Sequence, residues 1–485
     1  MLRMPLVLLG SLSLFGCASH PPLGSTSAAV ASSYRNLSLP TGPTSTAIVR
    51  TQWWKSFNDP VLDRLIDEAL LGSLDIEAAS ARLQQAAAAS RVATSSALPS
   101  GTISGSATTQ RQSLGDPAAR IASASPTYDR TSELFGLSAA MSWELDLFGR
   151  LSAVKRAAGA DQVAAAADLA GARLTVAAEI ANAYIAAREL QTRLQIARER
   201  IDTVENLRAL VALRFQEGAA ARLELDNVEA DLAAAQARAP ALEAALDQTL
   251  DRIDLLSGRA PGKAAAEVGV GALPAALTID VRDGPAELLA RRPDIVAAER
   301  RVAAGDARVA EAIAGYYPRV SIAGLVGLLS PVLSDLLDDD SLQSAGTVGL
   351  SGRLFDFGAT RGQVEAARGR TREAVAGYRR TVFQAVAEVE DGLSRLSRGA
   401  RQAEDLGRSE AALSRASRVA RAGYDIGGFD LRDALEAERR LLDVQDAAIV
   451  ARADTARASV AVFRALGGGW TADSLQVATH DERRG

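Results

Sequence analysis

Chemistry in this chain has to come from carboxylates, basic side chains or a single thiol. The sequence holds two histidines, His20 and His480, and one cysteine, Cys17. Those counts exclude a Ser-His-Asp triad on a central histidine, a Cys-His nucleophile, a thiolate zinc site and any disulfide. No spacing of carboxylates or lysines forms a catalytic motif, so the chain is expected to be no enzyme and to need no metal. Lys+Arg 54 against Asp+Glu 59 leaves a net charge of −5, which creates no basic field for nucleic acid. Two carboxylates are nonetheless placed to act together. Asp433 and Glu436 stand three residues apart, a step that sets both on one helical face.

The thiol has a different setting. Arg3 precedes an apolar run (Leu6, Val7, Leu8, Leu9, Leu12, Leu14, Phe15) that ends at Gly16-Cys17. One positive charge, a short apolar stretch and a small residue make residues 1–16 a signal peptide, too short for a permanent bilayer-spanning helix. Leu14-Phe15-Gly16-Cys17 resembles the bacterial lipobox, in which the cysteine becomes the acylated first residue; an ordinary cleaved signal with an incidental cysteine is the alternative. Ala18 and Ser19 then favour the outer membrane over the inner one. Residues 17–50, rich in Ser, Thr, Ala and Pro, read as an extended lipidated leader.

The elements that would position these groups are written twice. Asp75/Asp294, Arg82/Arg301 and Pro99/Pro318 are each 219 apart, and Phe215/Tyr424, Gly218/Gly427 and Glu224/Asp433 are each 209 apart. The change of offset places an insertion between residues 99 and 146. Proline is absent from Pro126 to Pro240 and after Pro331. Inside the first window, Val176, Ile180, Ala183, Ala187, Leu190, Leu194, Ala197, Ile201 and Val204 alternate by four and three, the coiled-coil period. A helix is therefore expected over about 150–215, on the order of 100 Å long at 1.5 Å per residue. Gly218 breaks it, and a second helix over about 220–257 should kink at Pro240. The second copy repeats the plan, with helices over about 360–424 and 430–466 around a break at Gly427-Gly428.

Between the helices lie alternating runs. Leu137, Ala139, Met141, Trp143 and Leu145 alternate with small or polar residues, as do Val348, Leu350 and Leu354. Each has a partner, 100–110 and 319–328, which gives hairpins over about 100–146 and 319–356 and four strands per chain. Their length suits tilted strands crossing a bilayer; a soluble sheet packed on helices is the other reading of the pattern. Four strands cannot close a barrel, and open edges are not tolerated in lipid. A membrane reading therefore requires several chains, and three would supply twelve strands. The domains follow: 51–258 for repeat 1, 259–285 as a connecting segment, 286–466 for repeat 2 and 467–485 as a tail.

Several short stretches carry a family resemblance. They are Trp53-Trp54-Lys55-Ser56-Phe57-Asn58-Asp59-Pro60, Asp146-Leu147-Phe148-Gly149-Arg150, Arg291-Arg292-Pro293-Asp294-Ile295, Tyr317-Pro318, Leu354-Phe355-Asp356-Phe357-Gly358 and Ala465-Leu466-Gly467. In this order they resemble the TolC-like outer-membrane efflux factors, in the lipoprotein branch with the nodulation protein T pattern. The resemblance implies a mainly α fold with a transmembrane β part. In it a homotrimer forms a twelve-stranded β-barrel, a periplasmic α-barrel of long coiled-coil helices and an equatorial belt near 259–285.

It also implies a passive exit duct of a tripartite pump. Its partners would be outer-membrane lipid, a periplasmic adaptor and an inner-membrane RND-type transporter, with no cofactor beyond lipid on Cys17. The alternatives are the outlet of a type I protein or peptide secretion system, and a periplasmic coiled-coil scaffold lipoprotein that forms no pore. Gly218, Gly427 and Gly428 would mark the adaptor-docking tip. By the same resemblance Asp433 and Glu436 would project into the tip aperture, with Glu224 as the repeat mate of Asp433. Six carboxylates around a threefold axis should raise some of their pKa values and attract cations; a solvated helix face with no gating role is the other reading of the pair. A tyrosine of the family's closed-state lock is matched by Tyr424. The lock's arginine position holds Phe429, so packing rather than a salt bridge is expected there.

Overall fold

The computed structural model describes residues 52–125, 128–277 and 291–468. Cys17, the signal peptide, the leader, residues 278–285 of the connecting segment and 469–485 of the tail lie outside the described residues. Backbone contacts divide the chain into two compact units. One holds residues 96–157 and 305–373; the other holds the helical remainder.

The first unit is built on four antiparallel strands in the order β1-β2-β3-β4. They are β1 (Ser100–Arg111), β2 (Thr131–Leu145), β3 (Arg319–Ser330) and β4 (Leu342–Ser351). The two hairpins are joined by β2–β3 pairing, from Phe135 opposite Ser330 to Leu145 opposite Val320. Arg353 and Leu354, expected at the end of the last strand, fall outside β4. The insertion inferred from the offset change contains a short helix, α3 (Pro117–Ala122), started by Asp116, which accepts a hydrogen bond from the Ala118 amide.

The register sorts the side chains. Opposed residues share a face, so Ile103, Ala139 and Val326 line one side with Leu137, Leu328 and Leu342, and with Trp143, Ile322 and Val348. The other side carries Thr102, Ser104, Ser106, Ser138, Ser142, Ser321, Gln343 and Thr347. Ser104 and Ser138 share a hydroxyl hydrogen bond of 3.0 Å across it. On the apolar side Ile103 is 82% exposed and Val348 76% exposed. Water would not favour that arrangement, since burying such a side chain is worth roughly 1.5–3 kcal/mol. Trp143 stands on this face, and its indole N–H donates to the Ala97 carbonyl at 3.0 Å.

The second strand of each hairpin, β2 and β4, feeds a long helix through a turn closed by glycine and aspartate. Gly149 and Gly358 take positive φ values of 75° and 89°. Asp146 then accepts from the Leu151 and Ser152 amides, and Asp356 from those of Gly358 and Thr360. These carboxylates satisfy amides that a helix start leaves open. The helices that follow are α4 (Arg150–Gln216) and its repeat mate (Ala359–Asp425), 67 residues each. After α4 comes α5 (Arg222–Leu256), which carries Pro240 inside a single helical span.

The helical unit also contains α1 (Pro60–Gly72), α2 (Leu74–Ser95), α6 (Ala264–Val268) and α7 (Pro293–Ala314). The long helix Ala359–Asp425 is α8, and α9 is Leu431–Ala465. The main core gathers Trp53, Trp54, Phe57, Leu62, Leu65 and Ile66 with Ile180, Tyr184, Ile185, Ile253, Leu393 and Phe463. Trp53 and Trp54 are thus structural, with Trp53 stacked on Phe463 at 5.5 Å and 12°. Below this core, Val204 and Val211 of α4 meet Leu225 and Val228 of α5 in a smaller seam.

A buried polar chain ties the core to the segment after α6. Tyr184 donates to Asp59 at 2.6 Å, and Arg188 donates to the Tyr184 hydroxyl and to the Gly269 carbonyl. Burial, and secondly the bond to Asp59, push the Tyr184 hydroxyl up to about 12. Asp59 also starts α1 by accepting from the Val61 and Leu62 amides.

Candidate functional site

The two helix breaks are built alike. At the end of α4 the Gly218 amide donates to Phe215 O and the Ala219 amide to Arg214 O. At the end of α8 the Gly427 amide donates to Tyr424 O and the Gly428 amide to Gly423 O. Each is a Schellman closure, which needs a left-handed residue at its fifth position. Gly218 and Gly427 supply it, at φ 72° and 78°.

Side chains then differ between the breaks. Phe429 folds its ring back over Gly423, where an added Cβ would overlap the ring. Phe429, at which the resemblance led to an expectation of packing rather than a salt bridge, is thus an aromatic packed on its own turn. Tyr424 is exposed beside it. Asp433 follows in the first turn of α9 and is exposed.

Within one chain, Glu436 is set among arginines. Arg439 donates to it through two nitrogens at 2.7 and 2.8 Å, and Arg440 at 3.0 Å. The hydrogen bonds from Arg439 lower its pKa to about 2; partial burial opposes them and Arg440 adds to them. Within a chain Glu436 is thus a charge already matched by arginine. Glu224 of α5 pairs instead with Arg432 of α9, at 3.6 Å.

Arg432, Arg439 and Arg440 are the residues that the carboxylate-centred sequence reading missed. Their spacing of three and four from Glu436 is the helical ion-pair signal that could have found the latter two. Farther from the break, Arg193 and Arg200 of α4 pair with Asp446 and Asp443 of α9. Among the described residues no group of three or more His, Cys, Asp and Glu could hold a metal.

The outer membrane efflux protein family model matches residues 65–259 and 284–468, one stretch per repeat. The pyoverdine export outer membrane protein OpmQ of Pseudomonas putida is 31% identical over 472 residues, covering 96% of this chain and 97% of the relative. Nodulation protein T of Rhizobium leguminosarum bv. trifolii is 27% identical over 419 residues, covering 86% and 88%. The solved outer-membrane channel OprN superposes with a TM-score of 0.82 at 30% identity, covering 93% of this chain and 99% of that one. The Campylobacter jejuni CmeC channel, at 22% identity and a TM-score of 0.84, shares the fold. With the long paired helices, the two-faced sheet and a match in each repeat, this chain belongs to the outer membrane efflux protein family and is a TolC-like outer-membrane channel component of an efflux system.

Proposed function

We propose that three copies of this chain close into one duct, the exit of a tripartite pump. The observation that carries the reading is the sheet. One face is apolar and exposed, the other is lined with hydroxyls, and β1 and β4 are its outer strands. Each unpaired backbone group in hydrocarbon costs several kcal/mol, so lipid favours closure by neighbouring copies. Twelve strands then form a barrel, and α4, α5, α8 and α9 form a periplasmic α-barrel.

The breaks at Gly218 and Gly427-Gly428 form the end that meets a periplasmic adaptor joined to an inner-membrane RND-type transporter. Cys17 carries lipid as an auxiliary anchor, and no reaction or other cofactor belongs to the chain. Relatives named for pyoverdine export and toluene efflux share 31% and 28% identity with it. Such different cargoes on similar scaffolds favour a duct for small molecules whose substrate is chosen upstream.

Purified protein in planar bilayers tests this. A heat-modifiable trimer that conducts ions is expected, and a stable monomer without conductance overturns it. At the tip, D433A with E436A should raise conductance and weaken block by divalent cations. An unchanged channel removes both residues from the gate. Cys17→Ser should abolish fatty-acid labelling, and persistent labelling rejects the lipid site.

A further inference from the structure

The α4/α5 pair has two flanks, and the chain itself covers one of them. On that flank Arg193 and Arg200 reach Asp446 and Asp443 of α9, and a cavity of about 390 Å³ is lined by Ala235, Arg238 and Leu442. The opposite flank is marked by the ion pairs Arg198–Glu243 at 3.1 Å and Arg208–Glu229 at 3.8 Å, which cross from α4 to α5. Beside them Asp202 and Glu205 of α4 and Asp226 and Asp247 of α5 are exposed. This flank holds six carboxylates against Arg198, Arg208 and Arg222, the last of which bonds Asp226. It is an acidic strip.

On α8 the outward face is basic. Its seam against α9 runs through Gly392 and Gly399, where an added Cβ would crowd Val462 and Thr455. Away from that seam Arg401, Arg408 and Arg415 recur every seven residues, with Arg398 and Arg418 beside them, all exposed. Seven-residue spacing keeps one face of a supercoiled helix aligned. Glu404 and Asp405 interrupt the ridge, and Asp405 is already bonded to Arg408. The repeat underlines the contrast, since Arg408 stands where the first copy has Glu199, 209 residues earlier.

The two surfaces also match in depth. Arg401 and Arg398 lie 26 and 29 residues before Gly427, and Glu243 and Asp247 lie 25 and 29 residues after Gly218. Nearer the breaks, Arg415 and Arg418 lie 12 and 9 residues before Gly427, while Glu205 and Glu229 lie 13 and 11 residues from Gly218. At 1.5 Å per residue these levels agree to within about 3 Å.

We infer that the acidic flank of α4/α5 in one copy receives the arginine ridge of α8 from a second copy of this chain. The contact is heterologous, closes into a ring under the threefold rotation of the trimer, and has its register fixed by opposite charges at matching levels. The inference rests on the trimeric reading and adds which helices meet and at what level.

Full-length protein carrying R401C and E243C, with R401C alone and E243C alone as controls, is treated in membranes with a short bismaleimide. A covalent two-chain species confined to the double variant is expected. A native trimer whose cysteines react with a monomaleimide but do not cross-link overturns the pairing and leaves the trimer standing. Absence of any oligomer overturns both. Capture of a different protein at position 401 also overturns the pairing and assigns the ridge to a partner.

Charge exchange is the second arm. R401E with R408E should lower the trimer fraction several-fold at low salt, and adding E243R and E205R should restore it. Failure of that restoration, with both variants folded by circular dichroism, counts against the pairing.

Discussion

At the ends of α5 and α9 the two repeats place an acid and an aromatic at equivalent positions, Asp254 and Phe463. The backbone there is the same. Gly258 and Gly467 have φ values of 69° and 68°, and each helix ends in the hydrogen-bond pair seen at the breaks. Asp254 is fully buried and accepts from the Gly262, Lys263 and Ala264 amides, with Arg259 beside it at 3.1 Å. Phe463 instead stacks on Trp53 in the main core. Duplication has thus kept the turns, which depend on glycine φ, while the side chains at those turns serve different neighbours. A chain whose halves must each meet different surroundings needs that divergence.

The comparison breaks most sharply at the aromatic. Phe463→Ala should cost about 3–5 kcal/mol, the range for emptying a packed aromatic site, and should leave Trp53 without its stacking partner. A urea midpoint shift together with altered Trp emission measures it. A shift below about 1 kcal/mol would show that the stack contributes little.

Asp254→Ala should cost somewhat less, about 3 kcal/mol, because buried amides lose a charged acceptor and Arg259 loses a counter-charge. The same urea experiment reads it. Amide exchange at 262–264 should accelerate, while exchange at 466–468 should not. Equal acceleration in both segments would mean that the two ends are one cooperative unit rather than two independent anchors.

These anchors show how legible the chain is in its sequence. The long helices, their breaks and the strands follow from proline placement, the alternation of four and three, and period-two alternation. All three are local signals that residues such as Val176–Val204 and Leu137–Leu145 carry on their own. The anchor at Asp254 was not legible, since its partners at 262–264 are loop amides with no side-chain signature. The charge balance beside Gly427 is legible only in part: Asp433 and Glu436 stand out by their spacing, while Arg439 and Arg440 one turn on are common residues on an exposed helix. The packing of Phe429 on Gly423 depends on the path of the turn, which sequence spacing does not specify.

That last contact sets a smaller difference between the repeats. Gly423 has Arg214 as its repeat mate, so a side chain is accommodated at this level of α4. In α8 it is not, because the Phe429 ring fills the space. Gly423→Ala should therefore cost about 1–3 kcal/mol by overpacking, confined to the break. Adding Phe429→Ala to Gly423→Ala should recover much of it, which a double-mutant cycle measures. Additivity would show that the ring moves aside freely.

The smallest expected effect is on pH response, and it too separates the repeats. Glu436 corresponds to Asn227 in the first copy, which cannot titrate, so at this position only α9 carries a carboxyl. The folded pKa of Glu436, about 2, lies below the ordinary 4.5 because Arg439 hydrogen-bonds the ionised form. A carboxyl depressed on folding adds stability that is fully present above its ordinary pKa and fades as pH falls through the lowered one. The charge on Glu436 should therefore persist from neutral pH to about 3, with little change in cation selectivity from this group. R439A with R440A removes the donors and should return the group to the ordinary range, so that selectivity drops between about pH 5 and 4. Adding E436Q to that variant should abolish the drop. Reversal potentials across a KCl gradient measure all three proteins. If the arginine-less channel titrates no differently from the parent, the arginines do not hold this carboxylate.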